Sequence, residues 1–170
     1  MTAITLARAT GADDVEAVRA LFLEYAGAPG LDAGFEECLA QQSFGAELAG
    51  LPGAYAPPRG ALLLARADGE PAGCVALKPL EPASVCEMKR LFVRPAFREL
   101  GLGRRLVAAI MAAAADAGYT HMRLDTLPSM AAAQQLYRRL GFYDIPAYCE
   151  NPVRGARFME ADLTASRATA

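Results

Sequence analysis

The chain has 170 residues and a mass of 18.0 kDa; 54% of the residues are apolar and 21% are charged. This composition allows a sizeable core and excludes a disordered chain. Seventeen Lys and Arg against nineteen Asp and Glu give a net charge of -2, which argues against a nucleic-acid partner bound through its phosphates. The length predicts one domain over residues 1–163, followed by a disordered tail over 164–170.

The first third of the chain predicts a strand and two helices. A short strand is predicted over Ile4–Arg8, followed by a helix over 12–25 whose apolar residues form one stripe. A weaker helix is predicted over 35–48. Residues 50–60 (GLPGAYAPPRG) form a loop by composition, which either connects two elements or covers a substrate.

The remainder predicts a three-strand meander followed by alternating helices and strands. Asp68-Gly69 is a strong hairpin signal, and Ser129 is a candidate N-cap for the last helix. The order of elements predicts an α/β protein of the α+β type, whose mixed sheet has a long antiparallel part. The predicted elements are strands over 61–67, 73–78 and 85–93, a helix over 103–117, a strand over 121–125, a helix over 129–140, and strands over 142–148 and 157–163.

The sequence shows no pattern typical of a signal peptide, a membrane span or a metal site. The N-terminal residues lack the basic and apolar regions of a signal peptide, and the longest apolar run is shorter than the ~20 residues of a membrane span. We therefore expect a cytoplasmic protein with no membrane partner. The four cysteines show no C-x-x-C spacing and His121 is the only histidine, so no metal site is expected.

The segment with the clearest chemistry is a glycine-containing loop between a predicted strand and a predicted helix. It reads Arg98-x-x-Gly101-x-Gly103, and its glycines let successive backbone N–H groups converge on an anion. The helix start adds unpaired donors and the positive end of its dipole, which favours a pyrophosphate. The alternative is a plain strand–helix turn with a surface arginine. A Walker loop and a dinucleotide fingerprint both fail on spacing, the latter because position 106 is Leu.

Residues 86–163 resemble the GNAT superfamily of acetyl-CoA-dependent N-acetyltransferases. The resemblance rests on this loop and on the later Leu136-Tyr137-Arg-Arg-Leu-Gly141-Phe142, which stand at the family's spacing. It implies the GNAT fold, a mixed sheet of about seven strands flanked by about four helices. It also implies acetyl-CoA as cosubstrate, no metal, and transfer of acetyl to a primary amine of a small molecule or protein. Dimers are frequent in the superfamily, so the resemblance includes a homodimer among the expected assemblies.

The resemblance assigns cofactor contacts to two stretches of backbone. The end of the third meander strand, Leu91, Phe92 and Val93, is expected to pair with the pantetheine arm, with the Leu91 amide polarising the thioester carbonyl. The loop amides are expected to hold the phosphates. Those residues are Arg98, Glu99, Leu100, Gly101, Leu102, Gly103 and Arg104.

Two side chains are candidates for acid–base catalysis. Glu87 stands where some family members place a glutamate general base, and a partly buried carboxylate there could take the amine proton directly or through water. The alternative is an ion pair with Lys89 or Arg90. Tyr137 corresponds to the tyrosine that protonates the departing thiolate, although it could be only a core aromatic. Many members carry Asn seven residues before that tyrosine, where this chain has Met130.

The sequence gives weaker evidence for the residues that contact the acceptor amine. Tyr148, Asn151 and Arg154 are candidate substrate contacts, because the corresponding family loop often borders the acceptor cleft; a plain hairpin loop is the alternative. The sequence does not choose among amine acceptors. A non-catalytic sensor that binds acyl-CoA is the alternative function, and a nucleotide-binding protein unrelated to CoA is a third.

Overall fold

The computed structural model describes residues 1–165, which form a seven-stranded sheet with helices on both faces. The strand order is β1-β2-β3-β4-β5-β7-β6; β4 and β5 are parallel and every other neighbouring pair is antiparallel. The predicted mixed sheet is therefore confirmed. The strands are β1 (Ile4–Arg8), β2 (Ala61–Ala67), β3 (Glu70–Pro79), β4 (Val85–Val93), β5 (His121–Thr126), β6 (Tyr143–Ile145) and β7 (Arg157–Asp162). The helices are α1 (Ala12–Ala26), α2 (Phe35–Gln41), α3 (Phe44–Ala49), α4 (Leu102–Asp116) and α5 (Ala131–Arg139).

The hydrophobic core lies on both faces of the central strands. Alternate residues of β2 belong to different apolar clusters: Leu63 packs on the face covered by α4, and Leu64 on the face covered by α1. A strand buried on both sides needs apolar residues at successive positions, which explains the continuous run ALLLA at its start. The hairpin that follows turns at Asp68 and Gly69, both with positive φ, as two-residue hairpin turns require.

The predicted helix over 35–48 is two short helices separated by a break at Gln42 and Ser43. Ser43 has a left-handed backbone with φ of 54°, which ends α2 and starts α3. The break brings the side chains of Gln42 and Glu47 onto the same guanidinium, that of Arg90. In an unbroken helix residues five apart point about 140° away from each other, so they would not converge.

Two further expectations differ from the structure near the C-terminus. Ser129 does not cap α5, because Pro128–Met130 form a turn and the N-cap residue is Met130; the Ser129 N–H instead bonds Asp32 Oδ2 at 3.1 Å. The strand predicted over 142–148 stops at Ile145, before Pro146, which has no N–H for a ladder bond. Of the predicted tail, residues 166–170 lie outside the described residues, whereas Thr164 donates hydrogen bonds to Asp162 Oδ1.

A β-bulge interrupts β4 near the centre of the sheet. Cys74 pairs with Phe92 and Ala76 with Lys89, so two residues of β4, Arg90 and Leu91, lie opposite one residue of β3. Arg90 has a positive φ of 60° at this point. The parallel pairing of β4 with β5 covers only Val85 to Glu87, and beyond it the two strands are not paired. The bulge and the end of the pairing open a gap between β4 and β5 at their C-terminal ends.

Candidate active site

Two adjoining cavities occupy this gap and the surface beside it. The inner cavity is partly open and has a volume of about 50 Å³ between α1, α2, β4 and β5. The outer groove has a volume of about 430 Å³ between β4, the start of α4 and α5. Four residues line both spaces: Tyr25, Leu91, Met130 and Tyr137. A ligand in one space therefore borders a ligand in the other.

The outer groove ends at the glycine loop. Gly101 is the N-cap of α4 and has a left-handed φ of 69°, a conformation that glycine adopts without steric cost. Gly103 lines the groove between α4 and α5, and a Cβ there would make an ordinary van der Waals contact with Leu136 Cδ2 at 3.5 Å. The first helical N–H groups after Gly101 have no intrahelical acceptor, and they carry the positive end of the helix dipole. These features fit a pyrophosphate.

The predicted cofactor residues fall into two groups. Leu91, Phe92, Val93, Arg98 and Gly103 line the outer groove. The rest of the predicted loop does not line it with side chains, so its contribution to a phosphate would come through backbone amides. In that group Glu99, Leu100, Gly101 and Arg104 are exposed, and the Leu102 side chain is buried in the core.

Two carboxylates and one ammonium form a buried cluster below the inner cavity. Lys89 Nζ lies 3.6 Å from Glu87 Oε1 and 3.5 Å from Asp125 Oδ1, and these side chains are 8%, 5% and 9% exposed. Lys78, 33% exposed, reaches Glu87 Oε1 at 3.5 Å from the solvent side. Burial alone would lower the pKa of Lys89, but the adjacent carboxylates raise it above its usual value, so Lys89 is a cation.

The loop before β7 reaches this cluster with two of its three predicted residues. The Tyr148 hydroxyl donates to Glu87 Oε2 at 2.6 Å, and Asn151 Nδ2 donates to Asp125 Oδ2 at 3.0 Å. Burial, the charge of Glu87 and this hydrogen bond raise the pKa of Tyr148, so its hydroxyl keeps its proton. Arg154 is exposed and lines neither cavity.

Tyr137 lines both cavities, whereas Glu87 lines neither of them. Tyr137 is buried against Phe142, with ring centroids 5.6 Å apart, and lines both spaces. Burial raises the pKa of Tyr137, so its hydroxyl is protonated at neutral pH. Glu87 is not among the described residues that line the inner cavity, and its oxygens face Lys78, Lys89 and Tyr148.

Sequence reasoning did not single out Asp125, which is the one carboxylate among the described residues lining the inner cavity. The signal that could have found it is its place near the C-terminal end of a strand parallel to β4, where α/β proteins commonly bind ligands. Met130, at the position of the family's usual Asn, accepts a weak contact from Thr126 Oγ1 at 3.9 Å. Its thioether cannot donate the hydrogen bond that an amide would.

Three further features of residues 1–165 concern metal binding, membrane spans and the cysteines. No group of three or more His, Cys, Asp and Glu side chains there is placed to hold a metal ion. Within the same residues, no helix has both the length and the apolarity for a membrane span. Cys38, Cys74 and Cys86 are buried thiols, and Cys149 is an exposed one.

Comparison with known proteins decides the family. Residues 15–142 match the model of the Acetyltransferase (GNAT) family. The chain belongs to the GNAT family. An uncharacterized N-acetyltransferase of Schizosaccharomyces pombe is 37% identical over 152 residues, which are 89% of this chain and 90% of the relative. The expected family and its enzyme class, acetyltransferase, are thereby confirmed.

Solved structures confirm the GNAT fold. An acetyltransferase of the GNAT family from Staphylococcus aureus Mu50 has a TM-score of 0.74 at 19% identity, covering 95% of this chain and 99% of the other. The paia N-acetyltransferase from Thermoplasma acidophilum, in complex with coenzyme A, has a TM-score of 0.71 at 18% identity, covering 94% of this chain and 99% of the other.

Proposed function

We propose that this GNAT protein moves an acetyl group from acetyl-CoA directly to a primary amine, with the cosubstrate in the outer groove and the amine in the inner cavity. The observation that carries the proposal is the shared wall of the two spaces at Leu91 and Tyr137. A thioester at this wall would present its carbonyl to the β4 backbone and its sulfur to the tyrosine. Direct transfer requires both reactants to meet at one point, and the shared wall supplies it.

The groove suits acetyl-CoA along its length. Leu91, Phe92 and Val93 form one wall for the pantetheine arm, and the loop with Gly101 and Gly103 ends the groove at a helix N-terminus. The fold neighbour from Thermoplasma acidophilum was solved with coenzyme A, which supports the same ligand here. Bound acetyl-CoA supplies the activated acetyl group.

The backbone at the bulge is the proposed site of charge stabilisation. Because the bulge disrupts the ladder at Arg90 and Leu91, the Leu91 amide is proposed to donate to the thioester oxygen as that oxygen becomes negative. In comparable sites one such donor contributes about 2.7–4 kcal/mol of transition-state stabilisation.

Proton movements are assigned to the two side chains predicted from the sequence. An alkyl ammonium with a pKa near ~10 must lose a proton before its nitrogen can attack. Glu87 is proposed to accept that proton, through a water because its carboxylate does not line the inner cavity. The nitrogen–carbon bond then forms and the carbon–sulfur bond breaks. The Tyr137 hydroxyl protonates the departing thiolate, and the second proton of the amine nitrogen, released as the amide forms, converts the resulting phenolate back to the phenol.

A calorimetric titration of acetyl-CoA tests the cosubstrate site. The test variant is Gly101→Asp combined with Gly103→Asp, which places two carboxylates in the loop. The matched control is Ala108→Asp combined with Ala112→Asp, which adds the same charge at exposed positions of α4. We expect micromolar binding by the wild type and the control, and at least about tenfold weaker binding by the test variant, because like charges repel the pyrophosphate.

The titration and an acetyl-transfer assay separate the two candidate functions. Release of free CoA thiol in the presence of amines supports the enzyme. Tight acetyl-CoA binding with no transfer to a broad amine panel would favour a non-catalytic sensor. Absence of binding by a folded wild-type protein would contradict acetyl-CoA as the cosubstrate and, with it, the proposed mechanism.

A further inference from the structure

Arg90 stands in the bulge of β4 with a left-handed backbone. Its φ is 60°, a conformation that costs free energy for a residue with a Cβ and that glycine adopts freely. A residue with a long side chain keeps such a backbone only where the surrounding structure holds it there. Arg90 and Leu91 together oppose one residue of β3, so whatever holds Arg90 also determines the direction of the next peptide group.

The peptide group between Arg90 and Leu91 turns its N–H away from β3. The thiol of Cys74, on β3, donates to the Arg90 carbonyl oxygen with Sγ at 3.5 Å. In a trans peptide the N–H points opposite to the carbonyl, so the Leu91 N–H points away from Cys74. The pairing of β4 with β5 ends at Glu87, and Leu91 lines both cavities. This N–H therefore lies on the side of β4 where the two strands have separated.

The Arg90 guanidinium is held by groups from the two short helices α2 and α3 and their surroundings. Its Nε and Nη2 donate to the two carboxylate oxygens of Glu47 at 2.9 and 3.2 Å, and Nη1 donates to Gln42 Oε1 at 2.9 Å. The Tyr55 hydroxyl donates to the same carboxylate at 2.7 Å, and the Phe44 ring lies 5.0 Å from the guanidinium carbon. The Arg90 side chain is 3% exposed, so water does not compete for these contacts.

We propose that Arg90 is a positioning residue, whose guanidinium contacts hold the left-handed backbone that aims the Leu91 N–H at the thioester carbonyl. The inference rests on the proposed function, in which this N–H is the donor to the carbonyl oxygen. Glu47 and Gln42 then support the reaction through Arg90, although neither lines the outer groove.

Two ligands measure the Leu91 contact without any acceptor amine. S-ethyl-CoA has a methylene in place of the thioester carbonyl of acetyl-CoA and is otherwise the same size. We expect the wild type to bind acetyl-CoA about fivefold more tightly by calorimetry, equivalent to about 1 kcal/mol for one hydrogen bond. Equal affinities would contradict the Leu91 contact and the inference with it. Failure to bind either ligand would contradict instead the proposed function beneath it.

Two substitutions of Arg90 separate its backbone role from its side-chain packing. Arg90→Ala and Arg90→Gly both remove the guanidinium, but only glycine adopts the left-handed backbone without steric cost. We expect the ratio of the S-ethyl-CoA Kd to the acetyl-CoA Kd to fall below about twofold in Arg90→Ala and to stay above about threefold in Arg90→Gly. A ratio kept by the alanine variant, or lost equally in both, overturns the inference.

Arg94 supplies the matched controls for these two substitutions. It donates to both carboxylate oxygens of Glu24 at 2.7 to 3.2 Å, but its φ is −54° and it lines neither cavity. Arg94→Ala and Arg94→Gly should both keep the wild-type ratio. A fall in either of them as large as in Arg90→Ala would overturn the assignment to Arg90.

Glu47→Gln tests the same contacts while the Arg90 side chain remains. We expect it to lower the ratio to about twofold in the wild-type background and to leave it unchanged in the Arg90→Gly background, where no guanidinium remains to be held. The S-ethyl-CoA Kd, which does not depend on the carbonyl, should stay within about twofold of wild type throughout and reports an intact groove. Equal falls in the two backgrounds contradict the inference, and this comparison decides it also if Arg90→Ala does not fold.

Discussion

The proposed catalytic role of Tyr137 depends on a single atom, the oxygen of its hydroxyl group. Its ring is buried against Phe142 and only its hydroxyl would reach the sulfur of a thioester. The Tyr137→Phe change keeps the packing and removes the proton donor. We expect kcat to fall about 100-fold, the lower end of the range for general acid catalysis, with acetyl-CoA affinity unchanged by calorimetry.

The control for this change is Tyr143→Phe, which removes a tyrosine hydroxyl from β6 that bonds Glu160 at 2.7 Å, outside both cavities. Its kcat should match the wild type. A Tyr137→Phe enzyme with full kcat would leave the tyrosine as a core aromatic, the alternative that the sequence left open.

Lys89 holds the charge cluster together, and its removal tests that role. Lys89→Met leaves Glu87 and Asp125 buried without the ammonium between them. We expect a loss of about 3–5 kcal/mol in the free energy of unfolding, measured by urea denaturation. Lys78→Met removes the partly exposed partner of Glu87 and should cost less than about 1 kcal/mol. Equal losses in the two variants would contradict the buried role of Lys89.

The packing of β3 against β4 and α4 depends on a missing side chain at Gly73. A Cβ there would stand 2.8 Å from the carbonyl oxygen of Phe92 and 3.2 Å from Leu106 Cδ1. We expect Gly73→Ala to destabilise the protein by about 1–3 kcal/mol, because the backbone of β4 must shift.

Gly45 in α3 is the matched control for that substitution. A Cβ there meets nothing within 4 Å, and the residue lies in a helix. Gly45→Ala should therefore stabilise by up to about 1 kcal/mol through helix propensity. Thermal unfolding of both variants gives the comparison, and a stable Gly73→Ala protein would show that β4 can yield at this point.

Regular elements were predictable from the sequence where the local pattern and the tertiary environment agree. The apolar run of β2 and the bounds of β4 were predicted as they stand in the structure. α4 begins and ends within one residue of its expected limits, because its apolar stripe and the following glycine give separate signals. The glycine loop was located from the spacing of Gly101 and Gly103, and its role as a pyrophosphate site stays a prediction.

Features set by long-range pairing were not predictable. The break between α2 and α3 accompanies the hydrogen bonds of Gln42 and Glu47 with Arg90, which is 48 and 43 residues away in sequence. The bulge at Arg90 and Leu91 has no local signature, as it depends on the register with β3. Asp125 joins the site only because β5 pairs beside β4 and the loop before β7 returns with Asn151.

Across the whole molecule, Glu160 connects the last three strands of the sheet. It accepts from Arg123 of β5 at 2.8 Å and from Tyr143 of β6 at 2.7 Å. Partial burial would raise the pKa of Glu160, but these hydrogen bonds and the Arg123 charge lower it below its usual value. The same contact raises the pKa of Tyr143 to about 12.

A carboxylate with a lowered folded-state pKa stabilises the protein above its unfolded pKa of about 4.3, and this stabilisation is lost as the pH falls through the folded value. We expect Glu160→Gln to lose less than about 1 kcal/mol at pH 7, because the pair is partly solvated, and nothing at the lowest pH. The urea midpoints of the wild type and of Glu160→Gln, measured between about pH 3 and pH 7, should therefore become equal at the acid end of this range. Parallel curves for wild type and variant would contradict the assignment.

The wall shared by the two cavities has a thermodynamic consequence for the affinities of the two reactants. Tyr25, Leu91, Met130 and Tyr137 line both spaces, so under the proposed function the two reactants would share this surface. Linkage then requires reciprocity: whatever factor the occupied groove contributes to affinity in the inner cavity, the occupied cavity returns to the groove. The two products would obey the same relation, so any factor by which one product changes the affinity for the other is matched in reverse.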